Sequence, residues 1–244
     1  MTTLARLTIA FLLALFFTSC GFDINMGDLS SGIKGNGIVT KDSRTITNNF
    51  SKISASEGLE VYVTQAKDFE IMVEADENII DLIGTDIKEG KLRVHAVKNI
   101  GRATKKVYVS LPEITALRSS SGSHLIVQHT ITCNDIEIDA SSGSLLKVDV
   151  LAEKVEIDAS SGANLTVSGD VANADIDVSS GGNINAKNLE TKICHADASS
   201  GGNLMITVTE SLVADASSGG NISYSGDASL KGKKNISGSI TYRD

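Results

Sequence analysis

The sequence predicts an all-β chain whose main part is a parallel, right-handed β-helix with coils of about 19–20 residues, preceded by a β region with one short helix. Three observations carry this. A Ser-Ser-Gly triplet recurs with its glycine at 122, 143, 162, 181, 201 and 219, at intervals of 18 to 21 residues. Apolar residues hold fixed columns around each triplet and alternate with polar ones, which is the period of a strand. The interior must also be built from aliphatic side chains and Ala: Trp is absent, Pro occurs once, and Phe11, Phe16 and Phe17 lie in an N-terminal apolar run. Small interiors suit thin, closely stacked coils.

Residues 1–19 read as a lipoprotein signal peptide. Arg6 precedes an apolar run from Leu7 to Phe17, then Thr18 and Ser19 lead into Cys20. The run is too short to cross a bilayer, which needs about 20 helical residues. The segment Phe17-Thr18-Ser19-Cys20 resembles the bacterial lipobox, which implies that Cys20 is acylated and becomes the mature N-terminus. Several acyl chains on one residue anchor a protein stably to a membrane. Residues 20–43 are rich in Gly and poor in large apolar side chains, so they are expected to be a flexible tether.

Residues 44–118 form the N-terminal β part. GLEVYVTQ (58 to 65), FEIMVEA (69 to 75), KLRVHAV (91 to 97) and KVYVSL (106 to 111) alternate as strands do. Glu77 to Ile87 carries apolar residues at 79, 80, 83 and 87, the spacing of a short helix.

Residues 119–244 are the Ser-Ser-Gly repeat. Three residues after each glycine stand Leu125, Leu146, Leu165, Ile184, Leu204 and Ile222; five before it stand Ile138, Ile157, Ile176, Ala196 and Ala214. The triplet joins two strands, its glycine supplying the positive φ of the turn. The copy at Gly122 fits the preceding columns poorly and reads as the first or capping coil. Asn164, Asn183, Asn203 and Asn221, two past the glycine, are expected to stack as an amide ladder.

The stretches FSKISASEGLEVYVTQ, KLRVHAV and VYVSLPEITALRSSSGSHLIV, followed by the SSGGNI and SSGGNL repeats, resemble the head GIN domain family of auto-transporter adhesins over roughly residues 46–225. The resemblance implies a β-helical envelope protein, commonly lipid-anchored, with no catalytic motif to transfer.

Candidate chemistry is sparse. Cys133 and Cys194 fall three coils apart, about 14 Å at one strand spacing per coil, beyond the Cα separation of about 7 Å that a disulfide tolerates; two buried free thiols are expected. His95, His124, His129 and His195 show no metal-ligand spacing, no Gly-rich loop opens a helix to cradle phosphate, and the serines form a ladder in which no copy stands out as a nucleophile. No cofactor is expected. One column does stand out: Asp139, Asp158, Asp177, Asp197 and Asp215, four before each glycine, with Glu137, Glu156 and Asp175 alongside. Such a strip is capped by the following serines and backbone N–H groups, is a cation strip, for example for Ca²⁺, or is simply exposed to solvent.

The formal charge of −8 becomes −9 once residues 1–19, with their single Arg6 and no acid, are removed. That balance disfavours nucleic acid. The expectation is a non-enzymatic, outer-membrane lipid-anchored module of the cell envelope, facing either the periplasm or the outside, that meets the membrane through its lipid and binds an envelope protein or glycan. The alternatives are a scaffold partner of another envelope complex and, by analogy of fold alone, a polysaccharide-active enzyme, which would need paired carboxylates in a cleft.

Overall fold

Alternation at period two becomes strand nearly everywhere in the computed structural model, which describes residues 32–234 and 237–243. The expected signal peptide and Cys20 lie outside the described residues. The strands are β1 (Val39–Ser43), β2 (Lys52–Ala55), β3 (Glu60–Gln65), β4 (Glu70–Asp76), β5 (Ile83–Lys88), β6 (Lys91–Ala96), β7 (Lys105–Leu111), β8 (Ala116–Ser119) and β9 (His124–Val127), then β10 (Ile131–Thr132), β11 (Asp135–Ala140), β12 (Leu145–Ala159), β13 (Asn164–Val178), β14 (Asn183–Ala198), β15 (Asn203–Ala216), β16 (Asn221–Ser225), β17 (Ser229–Lys234) and β18 (Ser239–Tyr242). They build a parallel β-solenoid of about six turns.

Each coil presents two walls: a pre-turn wall that leads into the Ser-Ser-Gly corner and a post-turn wall that leaves it. On the pre-turn wall the rungs run β5, β6, β2, β8, β11, the C-terminal halves of β12 to β15, then β17. On the post-turn wall they run β1, β4, β7, β3, β9, the N-terminal halves of β12 to β15, then β16 and β18. Coil order therefore departs from chain order. The coil β2–β3 comes first in sequence, yet it lies between β6–β7 on one side and β8–β9 on the other. Beyond β6–β7 the antiparallel strands β5, β4 and β1 close that end of the stack, so the Gly122 copy is an internal coil and not the cap.

The columns point inward as expected. Leu125, Leu146, Leu165, Ile184, Leu204 and Ile222 are all buried, as are Ile138, Ile157 and Ile176. Each such aliphatic side chain contributes about 1.5–3 kcal/mol on leaving water, and the register stacks like on like: Ile138 on Ile157, Ile157 on Ile176.

The corner has more in it than one permissive glycine. In every copy both the second serine and the glycine are left-handed, for example Ser161 at φ 52° and Gly162 at φ 73°. The N–H of the next residue, Ala163, donates to Ser160 O at 3.0 Å, which closes the mirror-image turn that needs positive φ twice. A non-glycine residue in this region costs roughly 1–2 kcal/mol. What offsets it is a second ladder: Gly143 N–H donates to Ser161 O at 3.0 Å and Gly162 N–H to Ser180 O at 3.2 Å, corner to corner along the stack. The left-handed serine aims its carbonyl at the neighbouring coil. The same geometry appears at Glu57 (φ 61°) and Gly58 (φ 68°), so Ser56-Glu57-Gly58 is a divergent copy of the triplet, within residues 44–118.

Two expectations are corrected. The helix expected over 77–87 is a single 3₁₀ turn, Ile80–Leu82, and Ile83–Lys88 is strand. Residues four apart lie on one face of a strand as well as of a helix, so Ile83 and Ile87 satisfy both periods. Nor does the tether run to residue 43. Gly35 N–H donates to Arg102 O at 3.0 Å, Gly37 N–H to the buried Asp76 Oδ1 at 2.6 Å, Asn36 N–H to Asn78 Oδ1 at 2.9 Å, and β1 pairs with β4. Polar anchoring of backbone, invisible to a hydrophobicity reading, orders this strap.

Candidate functional site

The two walls differ in chemistry. Asp139, Asp158, Asp177, Asp197 and Asp215 stand in unbroken register on the outer side of the pre-turn wall. Successive carboxylates are thus one strand spacing, about 4.8 Å, apart. Arg118 bounds the strip at one end, 3.9 Å from Asp139 and 3.5 Å from Glu137. Lys154 pairs with Glu156.

The carboxyls of Asp158, Asp177 and Asp197 are all held above the ordinary aspartate range. Partial desolvation within the stack is the first cause, and the neighbouring carboxylates are the second. None accepts a hydrogen bond from the following serines among the described residues; the turn is closed by backbone alone, and the expected serine capping does not form. Nor do the acids converge. They lie along a line, and among the described residues no three His, Cys, Asp or Glu side chains are grouped so as to hold a metal.

A raised carboxyl pKa in the folded state has a definite sign. Ionisation then opposes folding, so this contribution to stability is present below the unfolded pKa of about 3.9 and is lost as pH rises through the folded value. Asp177→Asn is accordingly expected to raise the melting temperature at neutral pH by the equivalent of about 0.5 kcal/mol, small because the side chain is mostly solvated. The gain should shrink as pH is lowered towards 4. Thermal melts across that range check this, and a variant no more stable than wild type at neutral pH would show that solvent already neutralises the column.

On the post-turn wall two outward columns are uncharged over the C-terminal coils, with the exposed Lys187 of β14 beside them and Lys147 in register before Thr166. Asn164, Asn183, Asn203 and Asn221 stand in register, with Ser239 next. The amide ladder is interrupted: Asn183 Nδ2 donates to Asn164 Oδ1 at 3.5 Å and Asn221 Nδ2 to Asn203 Oδ1 at 3.2 Å, but Asn203 Nδ2 turns back to Gly201 O at 3.1 Å. Beside it runs a second outward column, Thr166, Asn185, Met205, Ser223 and Thr241. The Oδ1 atom of Asn185 is shielded from solvent and has no hydrogen-bond partner. Towards the other end of this wall Tyr62 and Tyr108 stack on each other, ring centroids 5.2 Å apart and planes 18° from parallel. Each ring covers a face of the other.

Both cysteines after Cys20 are free. Cys194 is buried, and burial pushes its thiol up to about 12; Cys133 is half-buried rather than buried, and its thiol is also raised by burial. His124, His129 and His195 are exposed, while His95 Nε2 lies 3.5 Å from Asp86. A depression of about 650 Å³ on the pre-turn side is lined by Lys52, Thr115, Cys133, Glu137, Lys154 and Glu156 among others; its acids and bases have both signs interspersed, as on an ordinary solvated surface.

The profile of the family described as "Putative auto-transporter adhesin, head GIN domain" matches residues 49–228. Comparison with curated proteins finds no match. Among solved structures, a "putative adhesin" from Bacteroides fragilis superposes with a TM-score of 0.78 at 20% identity, covering 87% of this chain and 100% of its own. A "putative adhesin" from Parabacteroides merdae gives 0.68 at 21% identity, with 87% and 99% covered. A "putative lipid binding protein" from Parabacteroides distasonis gives 0.68 at 19% identity, again with 87% and 99% covered. At these identities the likeness is one of fold.

Proposed function

Because the chain belongs to the head GIN domain family, we propose that it is a lipid-anchored, adhesin-like binding module of the bacterial cell envelope, and not an enzyme. The observation that carries this reading is the pair of long, in-register outer walls, which offer an extended ligand the same side chains at every coil, on a body whose strap at residues 32–43 leads back to a lipobox-like segment at Cys20. Acylation of Cys20 would supply the membrane anchor, and the outer membrane is the proposed location. The name of the Parabacteroides distasonis neighbour raises lipid binding by the solenoid itself. Over the coils β12 to β15 the exposed large apolar side chains speak against it: Leu145, Leu151, Ile193 and Val213 belong to four different columns and do not line up as a patch of the kind that marks a lipid or protein contact.

Two measurements test the proposal. The wild-type protein is expected to partition into the detergent phase and the Cys20→Ala variant into the aqueous phase; a wild type that stays aqueous removes the anchor. Purified protein is expected to be retained saturably by isolated cell envelopes, and no retention would remove the adhesin-like reading.

A further inference from the structure

We infer that the post-turn wall from Thr166 to Thr241 is a binding face for an uncharged polysaccharide. The inference rests on the envelope-binding reading above and names the ligand class and the face. A chain of net charge −8 keeps its two outward columns here free of charge over successive coils, while the pre-turn wall collects Asp139 to Asp215. What remains on this face is amide and hydroxyl: Asn164 and Asn183 with their successors in one column, and Thr166, Asn185 and Ser223 in the other.

These groups donate and accept at once, as sugar hydroxyls do. Their spacing is fixed by the ladder at about 4.8 Å per coil, so the array is long and regular, and ordered before any ligand arrives, which limits the entropy lost on binding. An anionic glycan would need a row of cations, and neither column carries one from Thr166 to Thr241, Lys187 standing singly beside them and Lys147 before Thr166; a protein partner would need an apolar centre, whereas Met205 is the single apolar member of the second column. A role limited to holding the stack together accounts for the first column but not for the second, where the hydroxyls of Thr166 and Ser223 make no hydrogen bond among the described residues. In that same column the Asn185 Oδ1 is shielded and unpaired, an acceptor that a ligand would reach once the side chain turns outward.

The test is co-sedimentation of the full chain with insoluble cellulose, chitin and 1,3-β-glucan, with gel-bound polygalacturonate as an anionic comparison. The wild type is expected to be retained by at least one uncharged polymer, with retention unchanged as salt is raised. The double variant Thr166→Arg with Ser223→Arg leaves the Asn column and the inward columns intact; it should keep the wild-type melting temperature and lose affinity about tenfold or more. Asp158→Asn with Asp177→Asn, on the other wall, should bind as the wild type does. Absence of retention on every uncharged polymer, retention only on polygalacturonate, or undiminished retention of the arginine variant would each overturn the inference. Were envelope retention positive while any of these held, the glycan face would fall and the envelope-binding reading would stand; were envelope retention also absent, both would fall.

Discussion

Ile157→Asp is expected to abolish the cooperative fold, with loss of the β-sheet circular dichroism signal at temperatures where the wild type is native. Ile157 is 1% exposed and stacks between Ile138 and Ile176. A carboxylate there has no partner within the aliphatic column, and an unpaired buried charge costs several kcal/mol even after the protein relaxes or the group takes up a proton. Set against a typical domain stability of 5–15 kcal/mol, that is a large fraction of the total. The effect should not stay local, because each coil is covered only by its neighbours. Glu156→Gln, one residue away and facing solvent, is the control and should shift stability by no more than about 0.5 kcal/mol. An unchanged melting temperature for Ile157→Asp would mean that the columns do not face inward.

The second large effect is expected at Asp76. This carboxylate is 2% exposed, and its two oxygens accept the N–H groups of Gly37 and Thr104, each at 2.6 Å. A Cβ on Gly35 would collide with it, so the strap passes against the carboxylate with no room to spare. Asp76→Ala leaves two backbone donors without a partner, and hydrogen bonds to charged groups are worth about 1.5–3 kcal/mol each. The expected result is release of residues 32–43: rapid proteolysis in that segment and fast hydrogen exchange at Gly37 and Thr104, while the solenoid beyond β8 keeps its protection. Asp76→Asn, which retains one acceptor oxygen, should fall between. A strap that stays protected in the alanine variant would show that β1 pairing alone holds it.

These two sites also separate what could be read in the sequence from what could not. The columns through Ile157 were legible because a parallel stack repeats one environment at a fixed period, so burial writes the same residue type again and again. Asp76 was not, because one acid among alternating residues does not reveal that it binds backbone 39 residues upstream in the Gly-rich strap. The Ser-Ser-Gly corner was legible as a turn through its glycine. The left-handed serine was hidden, since its strain is offset by a hydrogen bond to the next coil, a term absent from local propensity. Ser56-Glu57-Gly58 escaped notice for the same reason: the backbone geometry is kept while the central residue changes. Coil order was beyond reach, because β2–β3 and β6–β7 carry the same alternation and nothing local decides which of them packs against β8–β9. At the surface the acidic column and the Asn column were both plain in the sequence. The absence of serine capping on the acids, and the second uncharged column beside the asparagines, needed the register to be seen.

The displaced position of β2–β3 has a mechanical consequence. In a solenoid stacked in chain order, tension applied at the N-terminus strips the outermost coil first and then each next coil in turn, with one rung of hydrogen bonds loaded at a time. Here the load arriving through Gly37 and β1 reaches a strand that pairs antiparallel with β4, and the first coil along the chain is already covered on both sides. It cannot peel until β6–β7 or β8–β9 lets go, so many rungs must yield together. A body held at a membrane by its N-terminus and pulled by whatever it grips would thus resist as a block.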